Sequence, residues 1–134
     1  MKPALIDTDI VSYFLKGNEK VFIKFQEYLK HFDSINISII TYYEIISGLT
    51  FKNASKQTEI FENFCSTASI LNITKDSIKR SAEIYSNQRI KGEAIDDIDI
   101  LIAGVALSNN LVLVTNNIRH FGKIGELQIE NWNE

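Results

Sequence analysis

Apolar residues fall along this chain in two rhythms, and the changes between them predict its elements. Ala4-Leu5-Ile6 is a short apolar run led in by Lys2-Pro3, the pattern of a buried strand. Past Asp7-Thr8-Asp9 the rhythm turns helical, with Ile10, Val11, Phe14 and Leu15 on one face until Gly17-Asn18 stops it. Val21, Phe22, Phe25, Tyr28, Leu29 and Phe32 recur at three and four, an amphipathic helix. Ile35, Ile37 and Ile39 then alternate with polar positions and predict a second strand. Thr41-Tyr42-Tyr43-Glu44 fits a capping box before an apolar helix running to Leu49.

The second half repeats the alternation. A helix is predicted from about 55 to 66, with Ile60, Phe61 and Phe64 on one face, followed by a strand at Ile70-Leu71-Asn72-Ile73. Thr74 caps a helix through Ile78, Ala82 and Tyr85, and Gln88 to Glu93 reads as a polar loop. The run from Ile98 to Leu107 is apolar on nearly all sides, which predicts a buried helix. Asp99 falls in its first turn, where the helix dipole favours an anion, behind Asp96 and Asp97. Leu111 to Val114 is a continuous apolar run, the signature of a strand buried on both faces, and Thr115-Asn116-Asn117 ends it. Leu127-Gln128-Ile129 predicts a last edge strand before Trp132. Strands alternating with helices predict an α/β fold with a central parallel sheet covered on both faces.

Composition narrows the class. At 134 residues, with 45% hydrophobic and 23% charged side chains, the chain reads as a single globular domain over 1–134. Cys65 has no partner for an internal disulfide and reads as a small buried hydrophobe, so a reducing, cytoplasmic setting is expected. No basic, apolar and small-residue series stands at Met1 onward, so no signal peptide is expected, and no apolar stretch approaches the roughly 20 residues of a membrane span. The net charge of -3 argues against broad electrostatic coating of nucleic acid but leaves room for a local basic rim.

The acids carry the chemistry. In open parallel sheets the functional crevice lies beyond the C-terminal strand ends. Asp7 ends the first strand, Glu44 follows the second, Asp99 opens the buried helix and Asn117 follows the strand at 111–114. Two carboxylates brought to about 4 Å repel by about 4 kcal/mol at an effective dielectric near 20. A cluster of them is tolerated when some protonate or a cation joins them, and oxygen ligands suit Mg²⁺ or Mn²⁺. Each position also has a plain structural reading. Asp7 to Asp9 fits a strand-end turn and helix cap, and Glu44 fits the reciprocal half of a capping box. Asn116-Asn117 fits a turn, and Asp96, Asp97 and Asp99 fit the cap of a core helix.

The order of these segments resembles the PIN domain, specifically VapC-type toxin ribonucleases of type II (VapBC) toxin–antitoxin systems. Leu5-Ile6-Asp7-Thr8-Asp9 resembles the opening strand and first acid, and Ser38-Ile39-Ile40-Thr41 through Glu44, with Ser47-Gly48-Leu49, the second motif. Asp99 to Gly104 resembles the third, Val112 to Asn117 with His120-Phe121 the fourth, and Ile129 to Trp132 the tail. The resemblance implies a three-layer α/β/α PIN-like domain and an endoribonuclease using metal-activated water. It implies catalytic Asp7, Glu44 and Asp99, with Asp7 and Asp99 as ligands of Mg²⁺, for which Mn²⁺ substitutes. Asn117 stands where many relatives carry a fourth acid, and Asp9 where they often have Asn or Ser, so Asp9 either adds charge to the site or caps the helix, with the cap favoured. Asp96 and Asp97 match no motif position. Implied partners are a structured RNA (tRNA or rRNA), a VapB-type antitoxin and a second copy in a homodimer. Lys16, Lys52, Arg89, Lys91 and Arg119 are candidates to guide phosphates, against the reading of each as a solvated surface charge.

Two rivals belong beside this reading. Asp7-Thr8-Asp9-Ile10-Val11 also fits the DxDx[TV] pattern of haloacid-dehalogenase-like phosphatases, with Asp7 as nucleophile, although their later acids follow the strand that ends in Thr115 rather than precede it. A catalytically silent PIN-like scaffold that binds RNA or protein is the non-enzymatic alternative.

Overall fold

A computed structural model describes residues 1–134. The elements are β1 (Ala4–Ile6), α1 (Thr8–Leu15), α2 (Glu19–Leu29), β2 (Asn36–Ser38), α3 (Ile39–Phe51) and α4 (Ser55–Thr67). They continue as β3 (Ser69–Leu71), α5 (Lys75–Ile90), α6 (Asp97–Ser108), β4 (Val112–Val114), α7 (Ile118–Phe121) and β5 (Ile129–Glu130). The five strands form one all-parallel sheet in the order β3-β2-β1-β4-β5. The chain builds outward from β1 to β3, then returns to lay β4 on the other side of β1. That reversal puts a topological switch point between β1 and β4, where α/β sheets place their crevices.

Side-chain alternation along the strands divides the core. Ala4 and Ile6 of β1, with Val112 and Val114 of β4, face one way, against Ile10 and Val11 of α1, Val21, Phe25 and Tyr28 of α2 and Phe61 of α4. Leu5 and Leu113 face the other way, against Ile84 of α5 and Ile100, Ile102, Ala103 and Ala106 of α6. Helix α3 serves both layers, giving Ile45 to the first and Ile40 to the second. Trp132 is buried in the first core against Phe25 and Tyr28, which anchors the C-terminal tail. Helices α5 and α6 cross closely at Gly104, where a Cβ would come 2.5 Å from the Ser77 carbonyl oxygen and nearer still to Ser81 Oγ. No helix is long and apolar enough to cross a membrane.

Several boundaries differ from the sequence reading. Helix α3 begins at Ile39, two residues before Thr41, because Ser38 is the N-cap and accepts the Thr41 N–H at 3.0 Å. Glu44 is therefore in the second turn and has no capping role. Gln88 to Ile90 continue α5 rather than forming a loop. Gln88 is buried, and its amide donates to the Glu93 carbonyl at 3.3 Å, so a polar side chain was folded inward instead of marking a break. Phe32 lies past the end of α2, where it stacks on Tyr28. Asp96 is the N-cap of α6 and Asp97 its first residue. The four-residue helix α7 is too short to show a period and was not predicted.

Candidate active site

Three helices start beside the sheet at its C-terminal edge, and each brings an acid. Asp7 leaves β1 and is the N-cap of α1. Its backbone N–H donates to the Val114 carbonyl at 2.9 Å, which locks it between β1 and β4 at the switch point. Its carboxylate is buried and accepts two hydrogen bonds, from Thr115 Oγ1 to Oδ2 at 2.7 Å and from the Thr8 N–H to Oδ1 at 2.8 Å. An ionised carboxylate offers about four lone-pair sites, so capacity remains for a cation or water.

Glu44 reaches the same edge from α3. Thr8 Oγ1 donates to Glu44 Oε1 at 2.6 Å and lies 3.0 Å from Thr41 Oγ1, so a hydroxyl on α1 fixes a carboxylate on α3. Asp99 comes from the first turn of α6, half-buried, with Oδ2 3.8 Å from His120 Nδ1. His120 Nδ1 also lies 3.1 Å from Asn117 Nδ2. Asn117 is tied down through its backbone, which donates to Thr115 Oγ1 at 3.0 Å. Thr115 thus links the strand-end position of Asp7 to the loop carrying Asn117.

The electrostatics reflect how near these acids lie to one another. Burial pushes the Asp7 carboxyl up to about 7, with Asp9 and Asp99 adding to the rise and the Thr115 and Thr8 hydrogen bonds opposing it. Burial also raises Asp99, as do Asp96, Glu44 and Asp9, while His120 lowers it. Asp9 is raised by burial first and by Glu44 last. Burial is the largest cause at Asp7, Asp9 and Asp99, and acids distant in sequence add to it, the condition in which a divalent cation is favoured.

The donor set is all hard oxygen, which fits Mg²⁺ or Mn²⁺ and not a thiophilic metal. No three His, Cys, Asp or Glu side chains close on one point as a ready-made cage. Mg²⁺ does not need one, since it is commonly held by one or two carboxylates and keeps several waters.

Asp9 behaves differently from its sequence reading as a cap, because Asp7 takes that position. Asp9 lies within the first turn of α1. Its Oδ1 accepts the Ile10 N–H at 2.7 Å and its Oδ2 the Asn116 N–H at 3.0 Å, so it bridges α1 to the loop after β4. Both oxygens held by backbone donors leave Asp9 poorly set up as the general acid of the phosphatase alternative. Beyond it, Asn116 bonds Tyr13 Oη and Asn131, tying that loop to the C-terminal tail.

The five candidate cations separate. Lys16 and Lys52 line one groove together with Glu44, between α1, α3 and α4. Arg119 is on α7, two residues past Asn117. Arg89 is placed 4.3 Å over the Tyr85 ring on α5, and Lys91 caps that helix; neither pairs with a site carboxylate. Thr8 and Thr41 are the residues that sequence reasoning missed as site elements, since a threonine in a first turn looks like any capping hydroxyl.

Comparison with known proteins bears on the family and the fold. The family profile described as "PIN domain" matches residues 4–127. Ribonuclease VapC1 of Haemophilus influenzae (strain R2866) is 28% identical over 129 residues, covering 96% of each chain. The tRNA(fMet)-specific endonuclease VapC of Salmonella typhimurium is 34% identical over 97 residues, covering 72% of this chain and 74% of that one. A crystal structure of VapBC2 from Rickettsia felis, bound to a DNA fragment from their promoter, superposes with a TM-score of 0.89 at 28% identity, covering 96% and 98% of the two chains.

Proposed function

The chain belongs to the PIN-domain family, in its VapC branch, and on that premise we propose that it is an endoribonuclease toxin that cuts a structured cellular RNA with Mg²⁺ (or Mn²⁺) at Asp7 and Asp99. The observation that carries this reading is the buried Asp7 carboxyl, driven to about 7 by burial and by the neighbouring acids Asp9 and Asp99 at the mouth of a parallel sheet. Such a site favours a cation, and a cation there draws in phosphate.

Asp7 and Asp99 are the residues that would hold the ion. When bound, Mg²⁺ supplies Lewis acidity, a more acidic water and charge neutralisation at phosphate oxygens. The protein's own groups do the positioning. Thr115 and the Thr8 N–H fix both oxygens of Asp7. Thr8 Oγ1 fixes Glu44 Oε1, which leaves Oε2 available to accept a hydrogen bond from a water. Asn117 and His120 close the Asp99 side, where a neutral amide stands in place of a fourth charge.

The relatives' names support an RNA substrate, a tRNA foremost, since one relative is named a tRNA(fMet)-specific endonuclease. The VapBC2 complex supports a VapB-type antitoxin as partner. A homodimer working in the cytoplasm completes the proposal. The test is cleavage of purified tRNA and rRNA in Mg²⁺ by the wild type, by Asp7→Ala and by Asp99→Ala. Activity in the wild type alone supports the reading. RNA that is bound but left intact by all three assigns the chain to the silent scaffold. Sequencing RNA 5′ ends after induced expression then names the target.

A further inference from the structure

We propose that the groove between α1, α3 and α4 is a nucleoside pocket that seats one unpaired base of the RNA beside the carboxylates and so sets which base flanks the cut. The inference rests on the nuclease reading above and adds a site to it. The groove has a volume of about 260 Å³ and runs from Glu44 at one end to Lys16 and Lys52. Glu44 is its single acidic lining residue. Its apolar lining is aliphatic throughout, from Leu15, Ile45, Leu49 and Ile60. Gln57 and Ser12 add an amide and a hydroxyl to the lining.

That sequence of surfaces matches one nucleotide in a strand. A base is flat and apolar on its faces and polar at its edge, and single-stranded RNA is read by splaying such bases into pockets. The flanking phosphates are anionic and suit the two lysines, while the acid end suits a phosphate only through a cation. A partner helix, about 10–12 Å across with its side chains, would insert little more than one or two side chains into this volume.

Gly48 is the second, independent observation. It lies inside α3, where glycine costs about 1 kcal/mol relative to alanine. A Cβ there would meet nothing within 4 Å, so no contact within the chain requires its absence. Gly104 is the contrast, since α5 packs directly over it. Gly48 lines the groove, and a side chain at this position would grow into the space assigned to the base.

The test uses the full protein with ¹³C-labelled Leu and Ile methyls, titrated with AMP, GMP, CMP and UMP, and with ribose 5-phosphate as the baseless control. Saturable shifts of the Leu15, Leu49 and Ile60 methyls are expected for at least one nucleotide and not for ribose 5-phosphate. Gly48→Leu is expected to fold, with a melting temperature no lower than wild type, and to weaken that binding about tenfold or more, the scale of one lost base contact. Lys16→Gln and Lys52→Gln are expected to weaken it and to flatten its salt dependence. Equal shifts with ribose 5-phosphate, or silent methyls, overturn the pocket. So do methyls that respond only to a peptide of the antitoxin's C-terminal segment. The readout needs neither metal nor turnover. Nucleotide binding without RNA cleavage supports the pocket while sinking the nuclease reading, and cleavage with silent methyls sinks the pocket alone.

Discussion

Thr8 on α1 donates its hydroxyl proton to Glu44 on α3 across 2.6 Å, joining two acidic motifs that lie 36 residues apart. A short bond to a carboxylate is among the stronger hydrogen bonds, and here it selects one rotamer of a flexible side chain. Removing it while keeping shape isolates that role. Thr8→Val is expected to fold normally and to lower kcat for RNA cleavage about 10- to 100-fold, the range seen when a partner orienting a site ligand is lost. Thr8→Ser, which keeps the hydroxyl, is expected to recover most of the activity. A Val variant as active as wild type would show that Glu44 needs no anchor.

The Asp7 carboxyl, raised to about 7, gives a pH signature. The folded state binds this proton more tightly than the unfolded chain, whose carboxyl sits near 3.8. The resulting stabilisation is fully present below about 4 and is lost as pH rises through about 7. Metal-free protein is therefore expected to lose up to a few kcal/mol of stability from this group across that window. Added Mg²⁺ is expected to restore it at pH 7.5 and to do little at pH 5. Asp7→Asn is expected to flatten the profile. Melting temperature measured across pH, with and without Mg²⁺, checks all three.

Asn117 places a neutral amide where a charge would strengthen the site. Its Nδ2 lies 3.1 Å from His120 Nδ1, beside Asp99. Asn117→Asp is expected to tighten Mn²⁺ binding by roughly 3- to 10-fold, because affinity at such sites rises with ligand charge. Unchanged metal affinity would mean that this position faces away from the ion.

The crossing of α5 over α6 depends on Gly104. A methyl at this position meets the Ser77 carbonyl and Ser81 Oγ, both buried, so the helices must separate. Gly104→Ala is expected to cost about 1–3 kcal/mol in urea unfolding despite its better helix propensity. Because α6 carries Asp99, metal affinity is expected to fall with it. A neutral or stabilising outcome would contradict the packing described here.

Much of this was legible in the sequence where a rhythm was long enough to read. The amphipathic helix α2 was located by its period of three and four, and the continuous apolar runs located β1, β4 and α6. Spacing misled where one residue type has two uses. Thr41 and Glu44 fit a capping box, yet Ser38 caps the helix and frees Glu44 for Thr8. Gln88 looked like a loop residue, but a polar side chain with a carbonyl partner can be buried in a helix. The joint role of Asp7, Glu44 and Asp99 was implied by the family resemblance and not by any local pattern, because none encodes which strand ends share an edge. The Asp9 bridge to Asn116 was invisible for the same reason, since its acceptor and donor are 107 residues apart.

The most direct measurement is calorimetric titration of Mn²⁺ into wild type, Asp7→Asn and Asp99→Asn, each confirmed folded by circular dichroism. The expected result is a saturable site in the wild type, weakened at least tenfold in both variants, with RNA cleavage falling in step. Manganese binding that is identical in all three proteins, or cleavage that persists in excess chelator, would contradict the account.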